Sequence, residues 1–275
     1  MGSPYFVKFL INKTFSQRFF WSRLTRYPVI GRAIEYMLFE NDDIFYLPRD
    51  GAVTIPIGET ANTGGGGMAL PSSVLEHFIR EAGFHWIMDF CICRDSTGCR
   101  DYPVNLGCLF MGEAARHINP KFGRPVSMEA ALEHAARCRE AGLVHLVGRN
   151  KLDSVWLNVG PPGKLLTVCN CCPCCCLWKI LPKVDHRISE KVNRMPGIRV
   201  EVSDDCVGCG TCTKNVCFVK AIRVVDKRAE IDPETCRGCG RCVEACPKGA
   251  IAITIEDEGF IDNTIKRITG AVEVK

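Results

Sequence analysis

The fold of the C-terminal third is decided by CVGCGTCTKNVCFVKAI at residues 206–222 and by its near repeat, CRGCGRCVEACPKGAI, at residues 236–251. Each stretch contains C-x-x-C-x-x-C, a spacing that places three thiolates on one loop around an iron–sulfur cubane. A zinc site also uses paired C-x-x-C, but it needs neither the third cysteine at the same step nor the internal repeat. The pattern therefore predicts two [4Fe-4S] clusters held by eight cysteines: Cys206, Cys209, Cys212, Cys217, Cys236, Cys239, Cys242 and Cys246.

The repeat resembles the bacterial-type two-cluster ferredoxin, in which the fourth cysteine of each motif ligates the other cluster. This resemblance implies that Cys246 completes the first cluster, beside Cys206, Cys209 and Cys212, and that Cys217 completes the second, beside Cys236, Cys239 and Cys242. The first motif departs from the family, because four residues separate Cys212 from Cys217 and Phe218 stands where the family has proline. The role of Cys217 therefore depends on whether its longer loop still brings it to the second cluster.

The length and composition indicate a second domain upstream. A chain of 275 residues can bury one or two domain cores, and the repeat occupies only its last third. The N-terminus mixes aromatic residues with lysines and arginines and shows no secretory signal, so we expect the reducing cytoplasm and metal ligation for most of the 19 cysteines. No apolar run has the length of a membrane span.

The formal net charge of +4 does not indicate a nucleic-acid partner. It counts thiols as neutral, whereas a [4Fe-4S] cluster on four thiolates carries about −2 in its oxidised state. Two such clusters already cancel the excess of positive charge.

Residues 1–41 are predicted to form a basic amphipathic helical arm. Six lysines and arginines and no acid occur in residues 1–34, interleaved with aromatic side chains, and Pro28 separates the first helical stretch from the next. The apolar residues are not confined to one clean face, which favours packing on this protein or on a partner protein. The alternative is that residues 1–40 contact an anionic membrane surface, so that a cytoplasmic protein would be peripheral to the membrane.

Residues 42–70 are predicted to be an extended linker, and residues 71–192 a cysteine-rich domain. The run Gly64–Gly67 lacks the Lys-Ser/Thr pair of a phosphate loop, so it is interpreted as part of the linker. In the domain we expect a helix after Pro71 with a capping box of Ser73 and Glu76, and a helix over 128–141 capped by Ser127.

Strand candidates at 143–147, 154–159 and 165–169 follow these helices. Helices followed by a β-hairpin give the order of a winged-helix module. The predicted fold is therefore α+β: a helical, winged-helix-like metal domain, and then a ferredoxin domain with a C-terminal extension at 193–275. Acidic residues at Glu129, Glu133 and Glu140 would repel phosphate on the helix that would read DNA, so DNA binding is not predicted.

Two further cysteine groups indicate metal binding upstream. One comprises Cys91, Cys93, Cys99 and Cys108, and the other, in CNCCPCCC, comprises Cys169, Cys171, Cys172, Cys174, Cys175 and Cys176. Adjacent cysteines point in different directions, so no single core face could bury them all. Because neither group has ferredoxin spacing, we expect both segments together to hold one or two further iron–sulfur clusters, with zinc as the alternative.

Four further residues of the upstream domain are predicted to have supporting or structural roles. Cys138 shares a helical face with Ala131 and Ala135, so it is predicted to lie in the core. His117 and His145 are candidates for a ligand or for a hydrogen bond to sulfur, although a lone histidine is more often structural. Arg94, next to Cys93, is predicted to balance cluster charge.

The combination of C-x-C-R at 91–94, G-L-V-H at 142–145, the CNCCPCCC run and the ferredoxin repeat resembles a family of proteins from anaerobes described as 4Fe-4S dicluster-domain proteins. The resemblance covers residues 71–255 and implies redox function in an anaerobic cytoplasm, without a defined reaction. The N-terminal arm lies outside it.

Three functions remain open at this point. The first is an electron-transfer subunit that passes single low-potential electrons between a soluble donor and a partner redox enzyme. The second is a reductase whose upstream cluster binds the substrate, and the third is a redox-sensing regulator. No nicotinamide, flavin or nucleotide motif and no acid-base constellation is present in the sequence, which favours the carrier.

Overall fold

A computed structural model describes residues 12–53, 70–257 and 259–275. The Gly64–Gly67 run and the first eleven residues of the arm lie outside the described residues. Within the described part the α-helices are α1 Arg18–Leu24, α2 Pro28–Leu38, α3 Ser72–Glu81, α4 Ile92–Thr97, α5 Met128–Glu140, α6 Lys151–Leu157, α7 His186–Ser189, α8 Arg241–Ala245 and α9 Phe260–Ala271.

The strands are β1 Asp43–Tyr46, β2 His85–Met88, β3 Leu109–Met111, β4 Gly123–Val126, β5 Val144–Arg149, β6 Leu166–Cys171, β7 Val192–Arg194, β8 Ile198–Val202, β9 Ile222–Val225, β10 Arg228–Ile231 and β11 Ile251–Ile255. Seven of them form one sheet in the order β4-β2-β3-β6-β5-β1-β7. Neighbouring strands in this sheet are antiparallel, except for the parallel pair of β1 and β7.

Strand β1 belongs to this sheet, although its residues were predicted to lie in a linker. Phe45 pairs with Val147 of β5 on one side and with Asn193 of β7 on the other. Ile44, Phe45 and Tyr46 are all buried, because packed residues cover both faces of the strand. The extended conformation of these residues was predicted from the sequence, but the place of the strand in the sheet was not.

The prediction of a strand at 154–159 is wrong, since these residues form the end of α6 and the turn that follows. Asn158 adopts a left-handed conformation with φ of 53° and ends the helix, and Leu152 and Leu157 are buried. Strands β5 and β6 instead pair directly with each other. The predicted winged-helix hairpin is therefore not formed by these three segments, whereas the α+β class is confirmed.

Two helix starts were predicted from capping residues, with different outcomes. Ser127 caps α5 as predicted, because its hydroxyl accepts a hydrogen bond from the Ala130 amide at 3.2 Å. The predicted capping box at Ser73 is wrong, since Ser73 lies inside α3 and its hydroxyl donates to the carbonyl of Leu70 at 2.6 Å.

The ferredoxin segment contains two short antiparallel sheets and is packed on the upstream domain. Strands β8 and β11 pair with each other, as do β9 and β10. A single apolar cluster contains Phe45 and Val147 of the large sheet together with Ile198, Ile253 and Phe260 from the C-terminal third. The two parts of the chain therefore share one core.

The C-terminal extension crosses back over the upstream domain. The amide of Gly83 donates to the carbonyl of Val274 at 3.1 Å, and the amide of Glu273 donates to the carbonyl of Gly163 at 2.8 Å. Phe260 and Ile268 of α9 are fully buried. An isolated fragment from residue 193 onward would expose these side chains to water, so clusters are better tested in the full chain.

The described part of the arm also belongs to this fold. Pro28 is the first residue of α2, where its missing N–H costs no helical hydrogen bond. Phe15 and Phe39 are buried, and the ring of Phe39 packs edge-on against Trp178 at 6.4 Å. Lys191 binds Glu35 of α2 at 2.6 Å. Among the described residues, no helix combines the length and the apolar character that crossing a bilayer requires.

Candidate metal centres

The predicted ligands of the first ferredoxin cluster lie around one cavity. Cys206, Cys209, Cys212 and Cys246 all line it, together with backbone of the glycine-containing loop. Burial raises the pKa of Cys212, and the thiolates of Cys206, Cys209 and Cys246 raise it further, so these four sulfurs form one electrostatic group. Iron or another cation would remove this mutual repulsion.

The predicted ligands of the second cluster form another such group. Burial raises the pKa of Cys236 to about 11, with further contributions from Cys239 and Cys217. Burial also raises the pKa of Cys242, again with contributions from Cys239, Cys236 and Cys217. The thiol of Cys217 therefore lies near the second set, despite the extra residue before it.

Backbone amides point at the sulfurs in both halves of the repeat. The Ala221 amide donates to the Cys217 sulfur at 3.2 Å, and the Ala250 amide donates to the Cys246 sulfur at 3.3 Å. Both contacts span four residues, so the chain after Cys217 has the same local form as the chain after Cys246. Gly240 has φ of 81°, and a Cβ there would lie 2.6 Å from the Ala52 Cβ, so the loop needs glycine.

The ten upstream cysteines divide into two sets that mix the two sequence segments. The four-thiol set consists of Cys99, Cys172, Cys174 and Cys175, whose sulfurs all lie within 4.8 Å of one another. The remaining cysteines, with Cys172, line a separate cavity. We refer to this cavity as the six-thiol cavity, after Cys91, Cys93, Cys108, Cys169, Cys171 and Cys176.

The strand register explains how the six-thiol cavity forms. Leu109 of β3 pairs with Val168 of β6 in an antiparallel arrangement, so Cys108 lies opposite Cys169 one step further on. Their sulfurs are 3.9 Å apart. Strand β6 ends at Cys171, and the chain then turns and brings Cys176 back beside Cys171.

The six thiols form hydrogen-bonded pairs that cannot all ionise. The hydrogen bond from Cys93 lowers the pKa of Cys91 to about 6, while the same contact raises the pKa of Cys93. Contact with Cys108 raises the pKa of Cys169, and contact with Cys176 raises the pKa of Cys171. A buried cation would allow all of these sulfurs to be thiolates, which is the form that binds metal.

Arg94 carries a buried positive charge between the two upstream sets. Its guanidinium donates to the carbonyl of Asn170 at 2.8 Å and to the carbonyl of Leu106. Burial lowers the pKa of Arg94, but the thiolates of Cys91 and Cys172 outweigh burial and raise it above its usual value. This position agrees with the charge-balancing role predicted from the sequence.

The histidine candidates do not lie among the ligands that the structure brings together. His145 is buried, with Nδ1 2.8 Å from Oδ1 of Asn170, and burial lowers its pKa to about 4. It therefore orients the segment between Cys169 and Cys171. His117 is exposed on a 3₁₀ turn.

Cys138 is buried as predicted. It is fully buried in α5, and burial raises its pKa to about 12. Cys138 therefore packs as an apolar side chain in the core of the described structure.

Two side chains missed by sequence reasoning join the second ferredoxin set to the six-thiol cavity. The hydroxyl of Tyr46 donates to the Cys171 sulfur at 3.9 Å, and its ring lies 4.8 Å from the ring of Phe218, next to Cys217. Arg241, between Cys239 and Cys242 in the sequence, donates to the carbonyl of Cys171. The substitution of Phe218 for the family's proline was visible in the sequence and could have indicated this contact.

Comparison with known proteins supports the interpretation of the C-terminal repeat. The family model described as "4Fe-4S dicluster domain" matches residues 198–247, so the chain contains this domain. The chain is 46% identical over 57 residues to a subunit of the Na(+)-translocating ferredoxin:NAD(+) oxidoreductase complex of Acetobacterium woodii. It is 50% identical over 48 residues to a subunit of the ion-translocating oxidoreductase complex of Methanosarcina acetivorans.

A third relative is the PorD subunit of pyruvate synthase from Methanothermobacter marburgensis, with 40% identity over 53 residues. These matches cover 20%, 18% and 19% of this chain, and 17%, 18% and 60% of the respective relatives. No solved structure matches the chain. The similarity to known proteins therefore extends over a short part of the chain, and the evidence for the upstream centres lies in their own residues.

Proposed function

We propose that this chain, which carries a 4Fe-4S dicluster domain, is an electron-transfer subunit of an oxidoreductase complex. The three relatives are named as subunits of oxidoreductase or synthase complexes, which supports this class. The eight cysteines of the repeat would hold two [4Fe-4S] clusters, which supply reversible one-electron transfer when bound. The six thiols of the upstream cavity are proposed to hold a further iron–sulfur centre.

The contact between Tyr46 and Cys171 is the observation that carries this proposal. One apolar cluster contains Tyr46, Phe218 and Cys171 and is packed against Cys217 and Cys239. The second ferredoxin set and the six-thiol cavity thus lie on either side of a layer of buried side chains. Excluded water lowers the reorganisation of solvent around a moving charge, so this arrangement suits electron transfer inside the chain.

Donors and positive charges surround the sulfurs at both ends of this path. Backbone amides donate to Cys217 and Cys246 in the ferredoxin part and to Cys172 upstream. The guanidinium of Arg241 acts on Cys239, and that of Arg94 acts on the upstream thiolates. Such groups favour the more negative, reduced state, so both centres are suited to accept an electron.

The arm is the proposed surface for the partner enzyme. Large apolar side chains are exposed along α1, α2 and the turn between them: Phe20, Trp21, Tyr27, Val29, Ile30, Tyr36 and Met37. Basic residues accompany them, and the single acid of these helices, Glu35, binds Lys191. A partner protein with an apolar patch and an acidic rim would complement this surface.

Charge substitutions test the arm without removing the buried residues Phe15 and Phe39. Val29 is 82% exposed, and Val29→Glu should abolish co-purification of a redox enzyme, identified by mass spectrometry, without lowering iron content. Val224, an exposed valine on the ferredoxin hairpin, provides the matched control as Val224→Glu. Binding of the wild-type protein to anionic phospholipid vesicles, lost in Val29→Glu, would instead support the membrane alternative.

The reductase remains a second candidate, because the six-thiol cavity also contains polar side chains that could act on a substrate. Its lining includes Asp153, Asn150 and Trp156. The side-chain amide of Asn150 donates to the Asp153 carboxyl at 2.7 Å. Burial raises the pKa of Asp153 to about 7, so this carboxyl could hold a proton near neutral pH.

Anaerobic redox spectroscopy separates the two candidates. A carrier, reduced chemically and mixed with a one-electron acceptor, should reoxidise in single-electron steps with no cofactor added. Its cluster spectrum should not change on addition of small carbonyl, nitro or disulfide compounds. A spectral change that follows the concentration of such a compound and disappears in Asp153→Asn would contradict the carrier and support the reductase.

A further inference from the structure

We propose that Cys99, Cys172, Cys174 and Cys175 form a closed structural site for one tetrahedral zinc ion, next to the six-thiol cavity that Cys172 also lines. This inference does not rest on the proposed electron transfer, because it concerns a different set of sulfurs. It divides the upstream cysteines between two metals, instead of assigning all ten to iron–sulfur clusters.

The size of the four-thiol set fits one ion. All four sulfurs lie within 4.8 Å of one another, and those of Cys99 and Cys174 are 3.6 Å apart. Tetrahedral zinc with Zn–S bonds of about 2.3 Å holds its thiolates about 3.8 Å apart. A cubane places irons and sulfides between its thiolates and must hold them further apart. A close pair also occurs in the six-thiol cavity, where the sulfurs of Cys108 and Cys169 are 3.9 Å apart. Among the described residues, however, only the four-thiol set has all its sulfurs within 4.8 Å of one another, which favours a single ion there.

The backbone forms this site from two distant segments. Helix α4 ends at Thr97, and the left-handed conformation of the capping residue Gly98, with φ of 60°, turns the chain immediately before Cys99. The Cys99 amide donates to the carbonyl of Arg94 at 2.9 Å, which fixes the turn. In the other segment, the Cys175 amide donates to the Cys172 sulfur at 3.4 Å. Such N–H···S bonds orient thiolates around a metal.

Positive groups are placed to balance the charge of the site. Zinc with four thiolates has a net charge of about −2. The positive charge of Arg94 interacts with the Cys172 thiolate, which raises the pKa of Arg94, and the ammonium of Lys179 donates to the carbonyl of Cys174 at 2.9 Å. The site is therefore electrostatically compatible with a buried dianionic centre.

The surroundings favour a structural ion over a redox centre. The four-thiol set packs with Leu106, Cys138 and Leu143 in a small apolar cluster that contains none of the ferredoxin cysteines. The six-thiol cavity, in contrast, shares its apolar cluster with Cys217, Cys236 and Cys239. A closed site without an open coordination position is typical of zinc that stabilises a fold. Here the ion would cross-link the segment after α4, which contains Cys99, to the segment after β6, which contains Cys172, Cys174 and Cys175.

Two single substitutions in the full-length protein test the division. Zinc, iron and acid-labile sulfide are measured after anaerobic purification of the wild type, Cys174→Ser and Cys108→Ser. The wild type should contain about one zinc per chain. Cys174→Ser should lose this zinc and keep its iron and sulfide, and Cys108→Ser should lose iron and sulfide and keep the zinc. Cys138→Ala, a buried thiol outside both sets, should keep all three.

Zinc-edge X-ray absorption of the wild type keeps the proposal testable if Cys174→Ser does not fold. The expected result is four sulfur neighbours at about 2.3 Å and no iron neighbour. Nitrogen or oxygen neighbours, or the absence of zinc from the wild type, would overturn the proposal. A loss of about four irons and about four sulfides in Cys174→Ser would also overturn it, because the set would then hold a cubane.

Discussion

Arg241 of the ferredoxin segment donates a hydrogen bond from its guanidinium to the backbone carbonyl of Cys171, at the end of strand β6. A second guanidinium nitrogen lies 3.3 Å from the carbonyl of Gly142. One side chain thus connects the loop that carries Cys239 and Cys242 to the strand that carries Cys169 and Cys171. This connection fixes the ferredoxin part relative to the six-thiol cavity.

Replacing Arg241 with methionine should weaken this connection. The carbonyls of Cys171 and Gly142 would lose their partner, and losing a hydrogen bond to a charged donor costs about 1.5–3 kcal/mol. We expect the free energy of unfolding to fall by this amount in anaerobic urea titrations. Arg223→Met is the matched control, because its exposed ion pair with Glu230 should contribute less than about 1 kcal/mol. Equal losses in the two variants would contradict the connection.

Replacing Tyr46 with phenylalanine should lower the reduction potential of the upstream centre. The change removes the O–H···S contact with Cys171 and keeps the ring beside Phe218. A hydrogen bond to sulfur stabilises the more negative, reduced state, so its loss favours the oxidised state. Redox titration followed by electron paramagnetic resonance measures the shift. An unchanged potential would indicate that Cys171 holds no redox centre, and the exposed Tyr36→Phe should change nothing.

Cys217→Ser should damage only the second ferredoxin cluster. Its sulfur shares an electrostatic group with Cys236 and Cys242, so the cluster would lose one thiolate ligand. Cys246→Ser is the symmetric control and should damage only the first cluster. Iron content and the spectrum of the reduced protein distinguish the two. If Cys217→Ser leaves both spectrum and iron content unchanged, the longer loop does not deliver a ligand.

Asp42→Asn should remove a pH dependence of stability. Asp42 is buried, its Oδ1 accepts from the Lys151 amide at 2.7 Å, and burial raises its pKa from 3.8 to about 7. The folded state therefore binds the proton more tightly than the unfolded state, so wild-type stability falls as pH rises from about 4 to about 7, by up to about 4 kcal/mol. The asparagine keeps the acceptor without the charge.

Urea titrations between pH 5.5 and 8 measure this dependence. The wild type should lose stability up to about pH 7. Asp42→Asn should lose less over the same range, because the buried Asp153, whose pKa is also raised to about 7, still contributes to the decline. The exposed Asp226→Asn, in the hairpin turn, serves as control and should follow the wild type. A decline of the same size in Asp42→Asn would show that another group is responsible.

The 4Fe-4S dicluster domain could be predicted from the sequence because the geometry of its cysteine motif is local. Three cysteines at a spacing of three residues face one centre wherever the loop lies, and the internal repeat excludes coincidence. The burial of Cys138 was equally local, since it follows from helical periodicity with Ala131 and Ala135.

The division of the upstream cysteines could not be predicted, because it depends on contacts between distant segments. Cys99 joins Cys174 only because α4 ends beside the chain that leaves β6, and Cys108 joins Cys169 through the pairing of β3 with β6. Adjacent cysteines such as Cys171 and Cys172 belong to different sets. The sequence spacing of such cysteines carries no information about which set each one joins.

The central claim is that the six-thiol cavity holds a redox centre next to the second ferredoxin cluster. Electron paramagnetic resonance of the fully reduced, anaerobically purified protein tests it most directly, with iron counted on the same sample. We predict iron clearly above about eight per chain and a signal broadened by magnetic coupling to a third centre, which is lost in Cys108→Ser. About eight irons, with an identical spectrum in the wild type and Cys108→Ser, would contradict the claim.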